Sequence, residues 1–286
     1  MSKSRAQTQP QRSIARSAAQ GPSRSLSVAD IEPQETRQVR IGTSGWHYKS
    51  WHGPFYPSTL RIKDFLSFYV GEFDTAEINN SFYRLPTEQA VRSWRDGAPE
   101  GFLFAWKVSR FITHMKRLRD IEDSIDLVFG RMAGLGEKFG PVLFQLPPTF
   151  KVTDENRERL ARTLSLVPPQ HRYAFEFRHP GWYADDIFDL LRDHNAALCI
   201  SDHADAPVPF VATADFAYIR AHGANGRYAG SYSRDTLQGW AGQIARWIEE
   251  KRDAYVYFDN DIKSAAPGDA RQLLKLIKTP EPSTDP

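Results

Sequence analysis

The sequence predicts an α/β protein built as a TIM-type (β/α)8 barrel, and three observations support this fold class. From Val39 onward, short runs of β-branched and aromatic residues alternate with longer stretches of helical spacing, which is typical of a parallel sheet. Setting aside a polar head leaves about 245 residues, the usual size of one such barrel. Polar or ionisable residues follow seven of the strand-like runs, as expected at the C-terminal rim of a barrel.

Eight strands and seven helices are predicted in alternation. The strands are predicted at residues 39–43, 73–79, 102–108, 141–145, 172–178, 196–202, 215–221 and 254–260. The helices are predicted at residues 59–70, 87–96, 120–138, 154–165, 183–194, 234–251 and 267–278. Helix N-caps are indicated at Thr87, at Thr153 or Asp154, and at Ser233. The segment between the sixth and seventh strands has two prolines and no helical face, so this crossover is the candidate for one without a helix.

The domain organisation follows from composition. Residues 1–38 are rich in Ser, Arg and Gln and carry six basic and three acidic side chains, a composition that predicts a disordered tail. Residues 39–280 form a single predicted barrel domain, and residues 281–286 a flexible C-terminus. No apolar run is long enough to span a bilayer, and the lone Cys199 cannot form an internal disulfide. We therefore expect a soluble, cytoplasmic protein without a membrane partner.

Alternation along the strands predicts which side chains face the barrel interior. Bulky apolar residues such as Phe104 and Phe175 are assigned to the face that packs on the helices. The opposite face then carries Glu77 on strand two, Lys107 on strand three and Glu176 on strand five. Because strands two and three are neighbours, Glu77 is expected close to Lys107. Gln145, Arg178 and Arg220 are also expected at the C-terminal opening of the barrel, which we call the mouth.

Burying such ions is costly unless they are paired, which leaves two interpretations of the mouth. The first is a satisfied salt-bridge network with a structural role. The second is a polar pocket in which Glu77 or Glu176 acts as general acid or base, while Lys107, Arg178 or Arg220 holds an anionic or carbonyl group. We assign the catalytic role to Glu77, Lys107 and Glu176.

Two further patterns bear on ligands. The loop after strand one is rich in aromatic residues, and Trp46 and Tyr48, nearest the strand end, are predicted to contact ligand. Histidines 179, 203 and 222 lie at three strand ends, where a divalent metal is a secondary hypothesis; no metal ligand is assigned, because the spacing of a zinc motif is missing. No glycine-rich phosphate loop follows a strand, so no cofactor is predicted.

The strand-end motifs together resemble a known family. They read GTSGWHYKSWHGPFYP, EINNSFYRLP, FAWKVSRFITH, GPVLFQLPPTF, FEFRHPGW, YIRAHG and YFDND, in this order. This series is similar to the YecE-like family, also called domain of unknown function 72. The resemblance implies a TIM-type barrel whose reaction is not established. The motif residues it points to are Thr43, Ser44, Trp46, Glu77, Asn79, Tyr83, Lys107, His114, Gln145, Glu176, Arg178, His179, Trp182, Arg220, His222 and Asn260. The chain departs from the family pattern at Asp259, where we expect the first residue of an Asn–Asn pair.

Three functions remain open at this stage. The first is an enzyme that uses acid/base chemistry, as a hydrolase, isomerase or lyase, on a small polar, anionic or sugar-like metabolite. The second is a nucleic-acid-associated, phosphodiesterase-like barrel, although the residues after 38 carry a net charge of about −1, so nucleic acid is not expected as a partner of the core. The third is a noncatalytic barrel that binds a small ligand.

Overall fold

The predicted (β/α)8 barrel is confirmed by a computed structural model that describes residues 38–204, 206 and 208–278. Eight parallel strands are hydrogen-bonded in chain order, and the last strand pairs with the first. The strands are β1 (Val39–Thr43), β2 (Thr75–Ile78), β3 (Leu103–Lys107), β4 (Phe139–Gln145), β5 (Tyr173–Glu176), β6 (Ala197–Ser201), β7 (Phe216–Ala221) and β8 (Asp253–Phe258). The helices are α1 (Phe65–Tyr69), α2 (Glu88–Gly97), α3 (Glu122–Met132), α4 (Asp154–Leu166), α5 (Asp185–Asp193), α6 (Arg234–Glu249) and α7 (Ala265–Lys278).

The predicted helix starts agree with the structure. The side chains of Thr87, Thr153 and Ser233 each accept a hydrogen bond from a backbone N–H in the first turn of α2, α4 and α6. The region predicted as one helix at 120–138 is instead α3 followed by a 3₁₀ segment, Ala133–Lys138, inside which Gly136 has a non-helical φ of +58°. Between β6 and β7, the described residues contain no helix.

The barrel closes between β1 and β2 through a tyrosine hydroxyl. The two strands share a single parallel bridge, between Ser44 and Glu77. Below it, the phenol of Tyr69 accepts the Thr43 N–H at 2.9 Å and donates to the Thr75 carbonyl at 3.1 Å. The backbones come this close because residue 42 is glycine: a Cβ there would lie 2.2 Å from the Thr75 carbonyl oxygen.

Two apolar layers surround the strands. Inside the barrel, large rings such as Tyr218 and Tyr257 pack beside small residues such as Ala105 and Ala174. Outside, rings on the opposite strand face pack against the helices, for example Phe144 stacked on Phe175 at 5.0 Å between centroids. This arrangement confirms the facing predicted from alternation and leaves the upper interior to polar side chains.

Two predictions concern residues that lie wholly or almost wholly outside this description. The disordered tail of residues 1–38 falls outside the described residues except for its last position, and the flexible C-terminus at 281–286 falls outside them altogether. Within the described part of the chain, no helix has both the length and the apolar character needed to cross a membrane.

The Gly42→Ala substitution is expected to lower the free energy of unfolding by about 1–3 kcal/mol, because the added methyl group forces β1 away from β2. Urea unfolding of the two proteins measures the difference. Gly239→Ala is the matched control, since a Cβ at this exposed position in α6 meets nothing within 4 Å. That change should stabilise the protein slightly. Equal effects at both positions would contradict the close approach at the seam.

Candidate active site

The guanidinium of Arg220 lies at the centre of the barrel mouth. Arg220 is on β7 and is only 1% exposed. Its Nη2 donates to Glu77 at 2.9 Å and to Asp259 at 2.8 Å, and its Nη1 donates to Glu176 at 3.0 Å. Three carboxylates from β2, β5 and the end of β8 therefore surround one cation. Such pairing offsets part of the cost of burying these charges.

Glu77 has both of its carboxylate oxygens occupied. Oε2 accepts the Tyr218 hydroxyl at 2.7 Å and Arg220 Nε at 3.1 Å. Oε1 accepts the Ser44 hydroxyl and Arg220 Nη2. Glu77 was expected close to Lys107, and its charge acts on the Lys107 ammonium, but its hydrogen-bond partners are Arg220, Tyr218 and Ser44.

Glu176 is held in its ionised form. Burial favours the neutral acid, but Arg178 and Arg220 outweigh burial and hold the pKa of Glu176 well below its usual value. The two guanidiniums contact different oxygens of this carboxylate. Glu176 therefore carries its charge throughout the physiological pH range.

His222 connects the two arginines to the loop after β6. Its Nε2 lies 3.0 Å from Arg178 Nη2 and 3.2 Å from Arg220 Nη1. Because a guanidinium nitrogen can only donate, Nε2 must accept, and the ring proton is assigned to Nδ1. On that side, Ser201 and Asp202 lie 3.3 and 3.4 Å away.

Lys107 differs from the other buried ions of the mouth. It is 6% exposed, and its Nζ makes no hydrogen bond or ion pair with any described residue. The ammonium lies 4.4 Å from the ring centroid of Phe82. Burial, together with the charge of Arg220, lowers the pKa of Lys107 from 10.5 to about 8. A lysine in this state can gain or lose a proton near neutral pH.

His114 contacts the same phenyl ring. It belongs to a π-helical turn, Phe111–Met115, that follows β3, and its ring meets Phe82 edge-on at 4.9 Å. Burial lowers the pKa of His114 to about 4, and the positive charges of Lys107, Arg110 and Arg178 act in the same direction. His114 is therefore neutral at pH 7.

A cavity of about 230 Å³ opens beside the mouth, between the loops after β1 and β2. Predicted ligand residues line it: Trp46, Tyr48, Asn79 and Tyr83. The Tyr48 hydroxyl donates to the Ser44 carbonyl at 2.6 Å, which ties this wall to the ion cluster. Tyr83 is 72% exposed. Across the mouth, Gln145 is half-buried and lies in register with Glu176.

Other predicted site residues make structural contacts instead. Thr43 belongs to the β1–β2 seam, and His179 caps the turn that begins at Pro180. Trp182 stacks between Phe150 and Phe177 in the outer layer. The amide of Asn260 donates to Asp269 at 2.7 Å and so anchors α7. These contacts are not part of the ion cluster around Arg220, and the ligand-binding role expected for these four residues stays a prediction.

Two residues of the ion cluster were missed as site candidates. Tyr218 lies two positions before Arg220 on β7, so alternation could have identified it. Asp259 entered the sequence analysis only as the position where the chain departs from the family pattern. The hypothesis of a metal held by His179, His203 and His222 gains no support, since the described residues contain no group of three or more His, Cys, Asp or Glu side chains arranged to hold an ion.

The comparisons with known proteins identify the family. A model for the "Protein of unknown function DUF72" matches residues 40–286. The chain belongs to the DUF72 family. It is 25% identical to the UPF0759 protein YecE of Escherichia coli (strain K12), over 73% of this chain and 82% of YecE. It is also 25% identical to the UPF0759 protein YunF of Bacillus subtilis (strain 168), over 84% and 94% of the two chains.

Solved structures of DUF72 proteins have the same fold. A crystal structure from Thermotoga maritima (TM1631) is 27% identical, with a TM-score of 0.78 over 85% of this chain and all of the other. One from Enterococcus faecalis (EF0366) is 21% identical, with a TM-score of 0.73 over 87% and 98%. The YecE-like resemblance seen in the motifs is thus confirmed, and this family has no established reaction.

Replacing Lys107 with Met is expected to raise the free energy of unfolding at pH 7 by up to about 3 kcal/mol, the equivalent of a pKa lowered from 10.5 to about 8. Below about pH 8 both states of the wild type bind the proton, so the full difference is present. Between about pH 8 and 10.5 the unfolded chain binds more protons, wild-type stability rises, and the difference shrinks. Urea unfolding at several pH values measures it. A loss of stability at pH 7 would indicate a paired lysine.

Replacing Arg220 with Met should destabilise the fold by about 3–5 kcal/mol, because three buried carboxylates lose their shared partner. Arg157→Met is the matched control: Arg157 pairs with Asp186 at the surface, and its loss should cost less than about 1 kcal/mol. Thermal and urea unfolding compare the two variants. A similar small loss in both would contradict the central role of Arg220.

Proposed function

We propose that this protein is an enzyme that carries out acid/base chemistry on a small anionic or sugar-like metabolite bound at the barrel mouth. Lys107 is the proposed proton-transfer group. The observation that carries this proposal is a buried ammonium without an ion pair among the described residues, at the strand end where barrel enzymes place their chemistry.

The pKa of Lys107 supports this role. A group with a pKa of about 8 is available in both protonation states near neutral pH, which is what a general acid or base requires. Glu77 and Glu176 are less suited to moving a proton, since arginines already pair with both. We therefore propose that these carboxylates fix Arg220 and Arg178, and that the arginines orient the ligand. Hydrolysis, isomerisation and lysis all remain compatible with this arrangement.

The neighbouring cavity supports a ring-shaped or sugar-like ligand. Its walls include the aromatic rings of Trp46, Tyr48 and Tyr83, which offer flat faces for a sugar. The Asn79 side-chain oxygen is buried near this cavity without a hydrogen-bond partner, so it could accept a ligand hydroxyl. We propose a cytoplasmic location, because the single buried cysteine gives no reason to require an oxidising compartment.

A noncatalytic ligand-binding barrel is the second candidate. It is favoured by the ion pairing of Glu77 and Glu176, which leaves these two predicted catalytic carboxylates engaged with Arg220. Such a protein would use the same mouth and cavity to hold a metabolite without turning it over.

Incubation of the purified full chain with a cellular metabolite extract, followed by untargeted mass spectrometry, tests the proposal. The wild type should consume at least one anionic metabolite, and Lys107→Met should slow this about 100-fold or more, within the range of general acid–base catalysis. Lys151→Met is the control, since Lys151 is exposed on the loop after β4 at the same end of the barrel. The control should behave like the wild type.

The pH dependence of that turnover provides a second measurement. The rate should rise through about pH 8 if Lys107 acts as a base, or fall through about pH 8 if it acts as an acid. A flat profile through this range would exclude Lys107 as the proton-transfer group. A metabolite that is retained by the protein but never consumed would favour the noncatalytic barrel.

A further inference from the structure

We propose that the ligand of this mouth is a phosphate monoester, whose phosphate group binds beside Lys107 in a subsite formed by Arg178, Arg110 and His114. This inference rests on the proposed function in taking the barrel mouth as the ligand site. It adds the chemical class of the ligand and the side chains that recognise it.

Arg110 carries a positive charge just after β3, three residues beyond Lys107. It is exposed and makes no ion pair with a described residue. Elsewhere on the surface, arginines such as Arg61, Arg157 and Arg192 are paired with nearby carboxylates. The charge of Arg110 is therefore available to an incoming anion.

Three positive side chains act on the same point inside the mouth. Lys107, Arg110 and Arg178 all disfavour protonation of His114, and Glu176 is the opposing carboxylate. Since Glu176 is already paired with Arg178 and Arg220, positive charge predominates around the imidazole. An anion bound there would be attracted by all three cations.

Two of these cations offer donors without hydrogen-bond partners. Arg178 is 6% exposed, and its fully buried Nε has no hydrogen-bond partner among the described residues. Buried donors are normally satisfied, and a ligand oxygen would satisfy this one. Lys107 is also 6% exposed, and its Nζ makes no hydrogen bond with a described residue, so it is available to the same ligand.

The number of acceptor oxygens favours phosphate over a carboxylate. A phosphate monoester has three free oxygens, which suits the guanidinium of Arg178, the ammonium of Lys107 and the guanidinium of Arg110 together. A carboxylate has two oxygens and would leave one of these three groups without a partner.

Calorimetric titration of the full chain with inorganic phosphate at pH 7.5 and low ionic strength tests the subsite. Arg110→Gln should weaken phosphate binding about tenfold, because a charge-assisted contact is lost. Arg61→Gln is the control, since this exposed arginine of the β1–α1 connection is paired with Asp64. The control should change the affinity less than twofold. Equal effects of the two substitutions, or no phosphate binding by the wild type, would overturn the inference.

NMR titration of His114 gives a second measurement on the wild type. Its resonance is assigned by comparison with His114→Gln, and the pH is varied from about 3 to 7, which brackets the expected change. Sulfate is the probe because it stays doubly charged, and sodium chloride of equal ionic strength is the reference. Sulfate should raise the pKa of His114 from about 4 by roughly one unit. Identical titrations in sulfate and chloride would contradict an anion site beside this ring.

A single-stranded oligothymidylate of about eight nucleotides separates a small phosphate ester from a nucleic-acid backbone. The oligonucleotide should bind no more than about tenfold tighter than inorganic phosphate. Displacement of phosphate by an oligonucleotide that binds over about 100-fold tighter would overturn the small-molecule assignment.

None of these binding measurements requires turnover. A protein that binds phosphate but consumes no metabolite would refute only the proposed enzyme, and an active protein that does not bind phosphate would refute only this subsite.

Discussion

The ion cluster around Arg220 is the constraint on which the arrangement of the mouth depends. One guanidinium meets Glu77, Glu176 and Asp259, so the C-terminal ends of β2, β5, β7 and β8 are fixed to a common point. By formal charge the three carboxylates exceed Arg220 by two. Arg178 and Lys107 supply the two remaining positive charges. Lys107 thus balances the charge of the cluster while making no ion pair within it.

The tyrosine layer beneath the cluster determines how strongly these charges interact. Tyr218 and Tyr257 are fully buried, with ring centroids 5.2 Å apart, and the Tyr257 hydroxyl bonds Thr75 at 2.8 Å. Burial, followed by the charge of Glu77, raises the pKa of Tyr218, so its phenol keeps the proton that it donates to Glu77. A dry, polarisable floor of this kind strengthens each ion pair above it. It also explains why an unpaired ammonium at the same level loses its proton more readily.

The fold and the inward face of the strands could be predicted from the sequence, whereas the partners of the charged residues could not. Alternation placed Glu77, Lys107 and Glu176 inside because side-chain direction along a strand is fixed by backbone geometry. Adjacency of β2 and β3 did not determine the ion pairs, since a long arginine from β7 can cross a barrel interior. For His179 and Trp182 the chain has already left β5, so the period of two no longer applied.

Lys107 connects stability to function through one charge. With no ion pair to a described carboxylate, its ammonium is a cost to the folded state below about pH 8, although the ring of Phe82 and the charges of the nearby carboxylates favour it. An anion bound at Lys107 and at the free Nε of Arg178 would satisfy both donors, so binding would recover part of that cost and stabilise the fold by mass action. The carboxylates of Glu77, Glu176 and Asp259 cannot satisfy these donors in place of an anion, because Arg220 already pairs with them. The pairing of Arg220 therefore keeps Lys107 available for an external anion.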